Sequence, residues 1–218
     1  MLTVHHLNNS RSQRVLWLLE ELEVPYEIVK YERDPKTSLA PASLKAIHPL
    51  GKSPVVTDDG TTVAESGAIL EYLVETYGKG RLAPAHGTPD FQRYRYFLHY
   101  AEGSLMPFLV MRLVTGRIRQ APVLVRPIAK AIANKVDAGF VTPNLERHVA
   151  FLDGELATRE WFAGELSAAD CQMLFPMQAI AKRVANAPAR IGEWVARAEA
   201  RPAYQRALTK GGTYAVMA

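Results

Sequence analysis

The chain has 218 residues, 48% hydrophobic and 22% charged, an ordinary globular composition that excludes a disordered chain and suffices for one substantial core or two small ones. Its single cysteine, Cys171, excludes an internal disulfide, and no His or Cys spacing matches a metal site, so no metal is expected. The net charge of +4 is uneven: residues 1–82 carry 9 Lys and Arg against 11 Asp and Glu, whereas residues 83–218 carry 17 against 11.

Leu2 to Leu7 reads as a short strand that ends at the polar turn Asn8-Asn9-Ser10. Val15, Leu18, Leu19 and Leu22 recur at helical spacing, which predicts a helix over 12–23, closed by Pro25. Tyr26 to Tyr31 alternates as a second strand, and a short helix is expected near Ala42 to Ile47. Val55-Val56-Thr57, turning through Asp58-Asp59-Gly60 into Thr61 to Ala64, predicts a hairpin, because Asp and Gly tolerate the positive φ of such turns. Glu65-Ser66-Gly67 then opens a helix that buries Ile69, Leu70, Leu73 and Tyr77.

A composition shift near Leu82 to Pro89 predicts a linker. Beyond it, Phe91 to Val114, Lys130 to Val136, Thr142 to Leu156, Ala168 to Ala185 and Ile191 to Arg201 carry helical periods, a bundle of five or six members. The expected organisation is therefore an α/β domain over 1–82, a linker over 83–89 and an all-α domain over 90–218. The basic stretch from Arg112 to Lys135 has no aromatic residue for base stacking and is interrupted by Pro122 and Pro127, so a nucleic-acid partner is not expected. No run approaches the roughly 20 apolar residues of a membrane helix, and the N-terminus carries no secretory-signal pattern. A soluble, cytoplasmic chain without a membrane partner is the expectation.

The β-α-β order, a short helix and then β-β-α, with a proline just before the third strand, resembles the thioredoxin fold. His48-Pro-Leu-Gly-Lys-Ser-Pro-Val-Val and Ala64-Glu-Ser-Gly-Ala-Ile-Leu-Glu-Tyr-Leu resemble the two glutathione-binding signatures of cytosolic glutathione transferases. His99-Tyr-Ala-Glu-Gly-Ser-Leu-Met-Pro is similar to the start of the helical domain in fungal and bacterial serine-type members. The resemblance implies a cis Ser53-Pro54 bond, so that the Ser53 backbone pairs with glutathione as a short extra strand. It further implies that Lys52 meets the glycyl carboxylate and that Glu65 and Ser66 hold the γ-glutamyl end, whose carboxylate suits a helix N-terminus. Glutathione is the implied co-substrate. The same residues also allow plainer readings, a trans proline opening a strand and Ser66 as a helix cap.

A thiol with a pKa near 8.5 is about 3% ionised at pH 7, and lowering it by about two units raises that fraction roughly twentyfold. The family places the donor for this shift in the turn after the first strand, here Asn8-Asn9-Ser10-Arg11-Ser12-Gln13-Arg14. The resemblance implies Ser10 as that donor, with Arg11 adding positive potential. Counting back from Arg14-Val15 points instead to Asn9, Ser12 is a further hydroxyl, and Ser10 with Gln13 also fits a purely structural capping box. The family further implies an apolar pocket for a hydrophobic electrophile, walled by Tyr100, Met106, Phe108 and Met111. It also implies a homodimer in which Glu102 or Ser104 reaches the partner's γ-glutamyl amine. Conjugation in detoxification is the leading activity; hydroperoxide reduction and a non-enzymatic binding or assembly role are the alternatives. Ser167-Ala-Ala-Asp170 resembles the family's helix-capping box, a folding element.

Overall fold

The computed structural model describes residues 1–37, 39–212 and 214; the last residues of the predicted all-α domain, 215–218, lie outside them. Four strands form one mixed sheet in the order β2-β1-β3-β4: β1 (Thr3–Leu7), β2 (Glu27–Tyr31), β3 (Val55–Asp58) and β4 (Thr61–Ala64). β2 runs parallel to β1 through helix α1 (Ser12–Leu22), while β3 is antiparallel to both β1 and β4. The β3–β4 hairpin turns on Asp59 (φ 42°) and Gly60 (φ 90°), the left-handed pair that a tight hairpin requires.

The strand registers bring three distant segments together. His5 faces Val55 across β1–β3, so continuing the ladder brings Leu7 beside Ser53. Val55 faces Ala64 across β3–β4, so Ser53 continues toward Ser66, the first residue of α2 (Ser66–Tyr77). The sheet thereby gathers the β1–α1 turn, the Ser53-Pro54 segment and the start of α2 at one edge.

After α2 the chain is helical. α3 (Pro89–Tyr100) passes through a π-turn at Ala101–Leu105 into α4 (Met106–Ile118), and α5 (Arg126–Val136) passes through a second, Asp137–Val141, into α6 (Thr142–Leu156). α7 (Ala168–Arg183), α8 (Ala189–Glu199) and α9 (Pro202–Gly211) complete the described elements. The sequence expectation stopped the last helix at Arg201 and so missed α9. Pro202 is at the first helical position, where its missing N–H costs nothing, and it starts a helix rather than ending one.

α1 joins the two halves. Nearly all its residues are buried, including Arg14 and Glu20, because the sheet covers one face and helices cover the others. Glu20 accepts hydrogen bonds from Tyr26 (2.7 Å), Arg206 (2.9 Å) and Lys210, and Glu21 accepts from Arg201 (2.9 Å), which fastens α9 along α1. Trp17 meets Tyr204 edge to face at 5.7 Å in the same seam.

The cap of α7 forms as its sequence suggests. The fully buried Asp170 accepts from the backbone N–H of Ser167 and of Phe162, each at 2.9 Å. Burial pushes its carboxyl up to about 6 against these hydrogen bonds, which hold it down. Asp170→Ala leaves both N–H groups buried without a partner, and the expected cost is about 2–4 kcal/mol in urea unfolding. Glutathione affinity of the folded fraction should not change; an unchanged urea midpoint would remove the cap from the folding argument.

Candidate active site

The β1–α1 turn, the Ser53-Pro54 segment and the N-terminus of α2 meet as the registers require. Ser53 Oγ donates to the carbonyl of His5 (2.8 Å) and accepts from the N–H of Leu7 (3.2 Å), and the Ser53-Pro54 bond is cis. The β1–β3 ladder ends at His5 and Val55, so the Ser53 backbone lies beyond it, at an open edge to which an extended peptide can add. Lys52, two residues before Pro54, is exposed at the same edge.

Glu65 precedes α2 with φ 72° and ψ 121°, a conformation that costs a non-glycine residue energy and concentrates at ligand sites. Its carbonyl still accepts the first helical bond, from Ile69 N–H at 2.9 Å. Glu65 thus occupies the cap position, and Ser66 is the first helical residue rather than the cap.

The buried Ser66 hydroxyl accepts from Arg14 Nη1 at 3.2 Å. The same nitrogen donates to Glu102 Oε1 at 2.7 Å and to Gln172 Oε1 at 2.8 Å, while Arg11 Nε donates to Glu102 Oε1 at 2.9 Å. One carboxylate therefore pairs with two guanidiniums, and the cluster keeps a net positive charge. Burial alone would raise the Glu102 carboxyl, but Arg14 and Arg11 outweigh it and hold the group below its usual range. Both guanidiniums lie over the ring of Phe175, at 5.4 Å for Arg11 and 5.5 Å for Arg14. Arg14 Nε and Nη2 are buried with no hydrogen-bond partner among the described residues.

In the turn itself, Ser10 does not face outward. It is 4% exposed, and its Oγ accepts from the N–H of Ser12 at 3.2 Å and lies 2.7 Å from Ser12 Oγ. Ser12 Oγ lies 2.8 Å from His6 Nδ1, and His6 also bonds the backbone of Gly211 at the end of α9. Burial, helped by Lys30, brings His6 down to about 4, so the ring is neutral at pH 7. Its one proton serves the Gly211 carbonyl, because the N–H there belongs to α9, and Nδ1 is left to accept from Ser12. Ser12 Oγ also reaches the Leu7 carbonyl at 3.3 Å, and with its proton placed on either acceptor it can accept from Ser10. The Ser10 hydroxyl is committed inward, and the capping box with Gln13 does not form either: α1 starts after Arg11 with no side-chain cap.

Asn9 and Arg11 line a cleft of about 730 Å³ between the halves. Met106, Val110, Leu113 and Phe175 line one side; Asn8, Arg33, Pro35 and Leu39 line the other together with the acidic Glu32 and Asp34, and Arg117 lies at the far end of the α4 stripe. Asn9 has φ 48°, a left-handed conformation that Asn tolerates better than most residues. Arg33 bonds the turn through its N–H to Asn8 Oδ1 (3.0 Å) and Nε to the Asn8 carbonyl (3.3 Å). The Arg33 guanidinium is held down by burial and by Arg11, which places two positive groups near the turn.

Of the four pocket residues expected from sequence, Met106 lines this cleft. Tyr100 is buried with its OH 2.7 Å from His148 Nδ1, Phe108 packs against His148 (5.2 Å) and Phe140 (5.7 Å), and Met111 is half-buried outside the lining. The spacing that finds the real wall is Met106, Val110, Leu113, Arg117, one stripe at helical period. Ser104 lies apart, beside Tyr96 and His99 at a shallow depression. Cys171 is buried in α7 and its thiol is pushed well up by desolvation, which leaves it a core residue.

Arg14→Ala is expected to cost about 2–4 kcal/mol in urea unfolding, because Ser66, Gln172 and Glu102 lose a shared buried donor. The measurement is the midpoint at constant slope, and a loss under about 0.5 kcal/mol would show that Arg14 does not hold the halves together.

Residues 1–75 match the family model described as the glutathione S-transferase N-terminal domain. Glutathione S-transferase 3 of Schizosaccharomyces pombe is 37% identical over 214 residues, 96% of this chain and 88% of its own length. Glutathione S-transferase 1 of Saccharomyces cerevisiae is 32% identical over 86% of this chain and 84% of its own. Among solved structures, a glutathione S-transferase from Actinobacillus pleuropneumoniae superposes with a TM-score of 0.80 at 30% identity, covering 97% of this chain and 93% of that one. A sphingomonad glutathione S-transferase, solved in complex with glutathione, superposes with a TM-score of 0.73 at 26% identity over 96% of this chain and 98% of that one. With a thioredoxin-like N-terminal half, a helical C-terminal half and both signature segments meeting at one edge, the chain belongs to the cytosolic glutathione S-transferase family of enzymes.

Proposed function

We propose that the chain binds glutathione along Lys52, Ser53, Pro54, Glu65 and Ser66 and directs its thiolate at a hydrophobic electrophile in the cleft walled by Met106, Val110, Leu113 and Phe175. The observation that carries this reading is the convergence of both signature segments with a cleft bordered by Asn9 and Arg11. Detoxifying conjugation in the cytoplasm is the setting this reading implies. A glutathione molecule in the sphingomonad relative supports it. In this reading the Asn9 amide donates to the thiolate, Arg11 and Arg33 add positive potential, and Ser10 braces the turn from within. The proposed boundaries are a glutathione-binding domain over 1–82, a linker over 83–89 and a helical domain over 90–218.

The chain is further proposed to be a homodimer. Tyr96 and Phe151 are exposed, and both rings pack on Tyr100, at 5.4 and 5.6 Å. The shallow depression holding Ser104 adjoins them, so this aromatic face offers a self-complementary surface.

Calorimetric titration should detect glutathione binding, and absence of both heat and thermal stabilisation at millimolar ligand refutes the reading. A hydrogen bond to a charged group is worth about 1.5–3 kcal/mol, so Asn9→Ala is expected to raise the bound thiol's pKa by about one to two units, measured by thiolate absorbance. Ser10→Ala should leave that pKa in place and lower the melting temperature; the opposite pattern reinstates Ser10 as the donor. Conjugation itself is read with a chloronitroarene and compared with an organic hydroperoxide. Tyr96→Glu should turn a dimer into a monomer by light scattering; a wild-type monomer, or an unchanged dimer, rejects this interface.

A further inference from the structure

Between Glu102 and Asp137 the chain contains no Asp or Glu and six basic residues, Arg112, Arg117, Arg119, Arg126, Lys130 and Lys135. This stretch is the hairpin of α4 and α5, and its tip is unusual. Tight turns favour Gly, Asn, Asp and Ser, yet here the connection is Pro122-Val123-Leu124-Val125, closed by Val125 and Arg126 N–H bonds to the Pro122 carbonyl, each 3.0 Å. Val123 is 75% exposed and Leu124 is 92% exposed. Ile118 at the end of α4 and Ile128 and Ile132 on α5 extend the exposed apolar surface on either side.

α5 packs inward through Ala133 and presents the Ile128 and Ile132 stripe to solvent. Arg119 is tied to Asn134 and Asp137, and Arg126 to the Ala121 carbonyl, so these two brace the hairpin. Arg117, Lys130 and Lys135 form no ion pair among the described residues and leave their charge available.

Apolar side chains projecting from a turn and flanked by free cations form the pattern of a segment that lies in a membrane interface. We propose that the α4–α5 tip seats on an anionic bilayer, with Val123, Leu124 and Ile128 entering the headgroup boundary and Lys130 and its basic neighbours facing the phosphates. The charge decides against a second copy of this chain: a two-fold interface would bring the same acid-free, basic patch against itself. The expectation of no membrane partner rested on the absence of a spanning segment, and none of the described helices is long and apolar enough to cross a membrane. Surface seating needs no span.

The test is flotation of the full chain with phosphatidylcholine vesicles and with vesicles that also contain phosphatidylglycerol. Binding is expected only to the anionic vesicles and should be lost in about 1 M salt, where the Debye length falls to about 3 Å. Leu124→Asp should weaken it about tenfold or more, with an unchanged melting temperature because the residue packs against nothing. Lys130→Gln should weaken it by about fivefold while leaving the apolar tip intact. The proposal is overturned by absence of anionic-vesicle binding, by equal binding to neutral vesicles, or by binding that both variants retain. Salt-sensitive capture of duplex DNA that Leu124→Asp does not affect, in place of vesicle binding, would also reject it in favour of a nucleic-acid partner.

Discussion

Arg14 is almost wholly buried, and a single terminal nitrogen of its guanidinium, Nη1, makes all of its hydrogen bonds among the described residues, one of them to a carboxylate. It lies on the first turn of α1 and reaches three separate elements: Ser66 at the start of α2, Glu102 in the π-turn between α3 and α4, and Gln172 in α7. These three hydrogen bonds tie α1 to α2 and, across the seam between the two halves, to the π-turn and to α7. That arrangement also sets the cleft, because Arg11, one turn earlier, shares Glu102 and the ring of Phe175. The start of α2, the interdomain seam and the cleft wall thus meet at one ion cluster.

The second constraint is proton accounting in the β1–α1 turn. Neutral His6, Ser12 and Ser10 form a directed chain, and each hydroxyl has one proton to place. Ser12 Oγ lies within reach of His6 Nδ1 and of the Leu7 carbonyl, and the buried Ser10 hydroxyl packs against it at 2.7 Å. The same buried chain connects α9 to the turn, so α9 braces it. Asn9, in a left-handed conformation, is the residue the turn exposes to the cleft.

Much of the fold was legible because its signals are local. Alternation over Tyr26 to Tyr31, the Asp-Asp-Gly turn and the helical recurrence of Val15, Leu18 and Leu22 each lie within a few residues. The meeting of Ser53 with Ser66 could be read from the motifs, and the strand registers supply its physical cause. α9 was missed because a proline reads equally as a stop or as a first helical residue, and only the packing of Arg206 and Lys210 on Glu20 distinguishes the two.

The sequence by itself determined the order of elements up to α8, the family and the two signature segments, since these depend on turn chemistry, periodicity and contiguous motifs. Only the tertiary structure decided which side chains face the cleft. Tyr100 and Phe108 are as apolar as Met106, yet they turn toward His148, because which face of α3 and α4 meets the cleft depends on how the helices dock. The same holds for the turn: Ser10 and Asn9 are neighbours with comparable donors, and what separates them is a histidine on β1 and a carbonyl 201 residues beyond Ser10. Hydrogen-bond direction is a property of a closed three-dimensional network, and no local pattern encodes it.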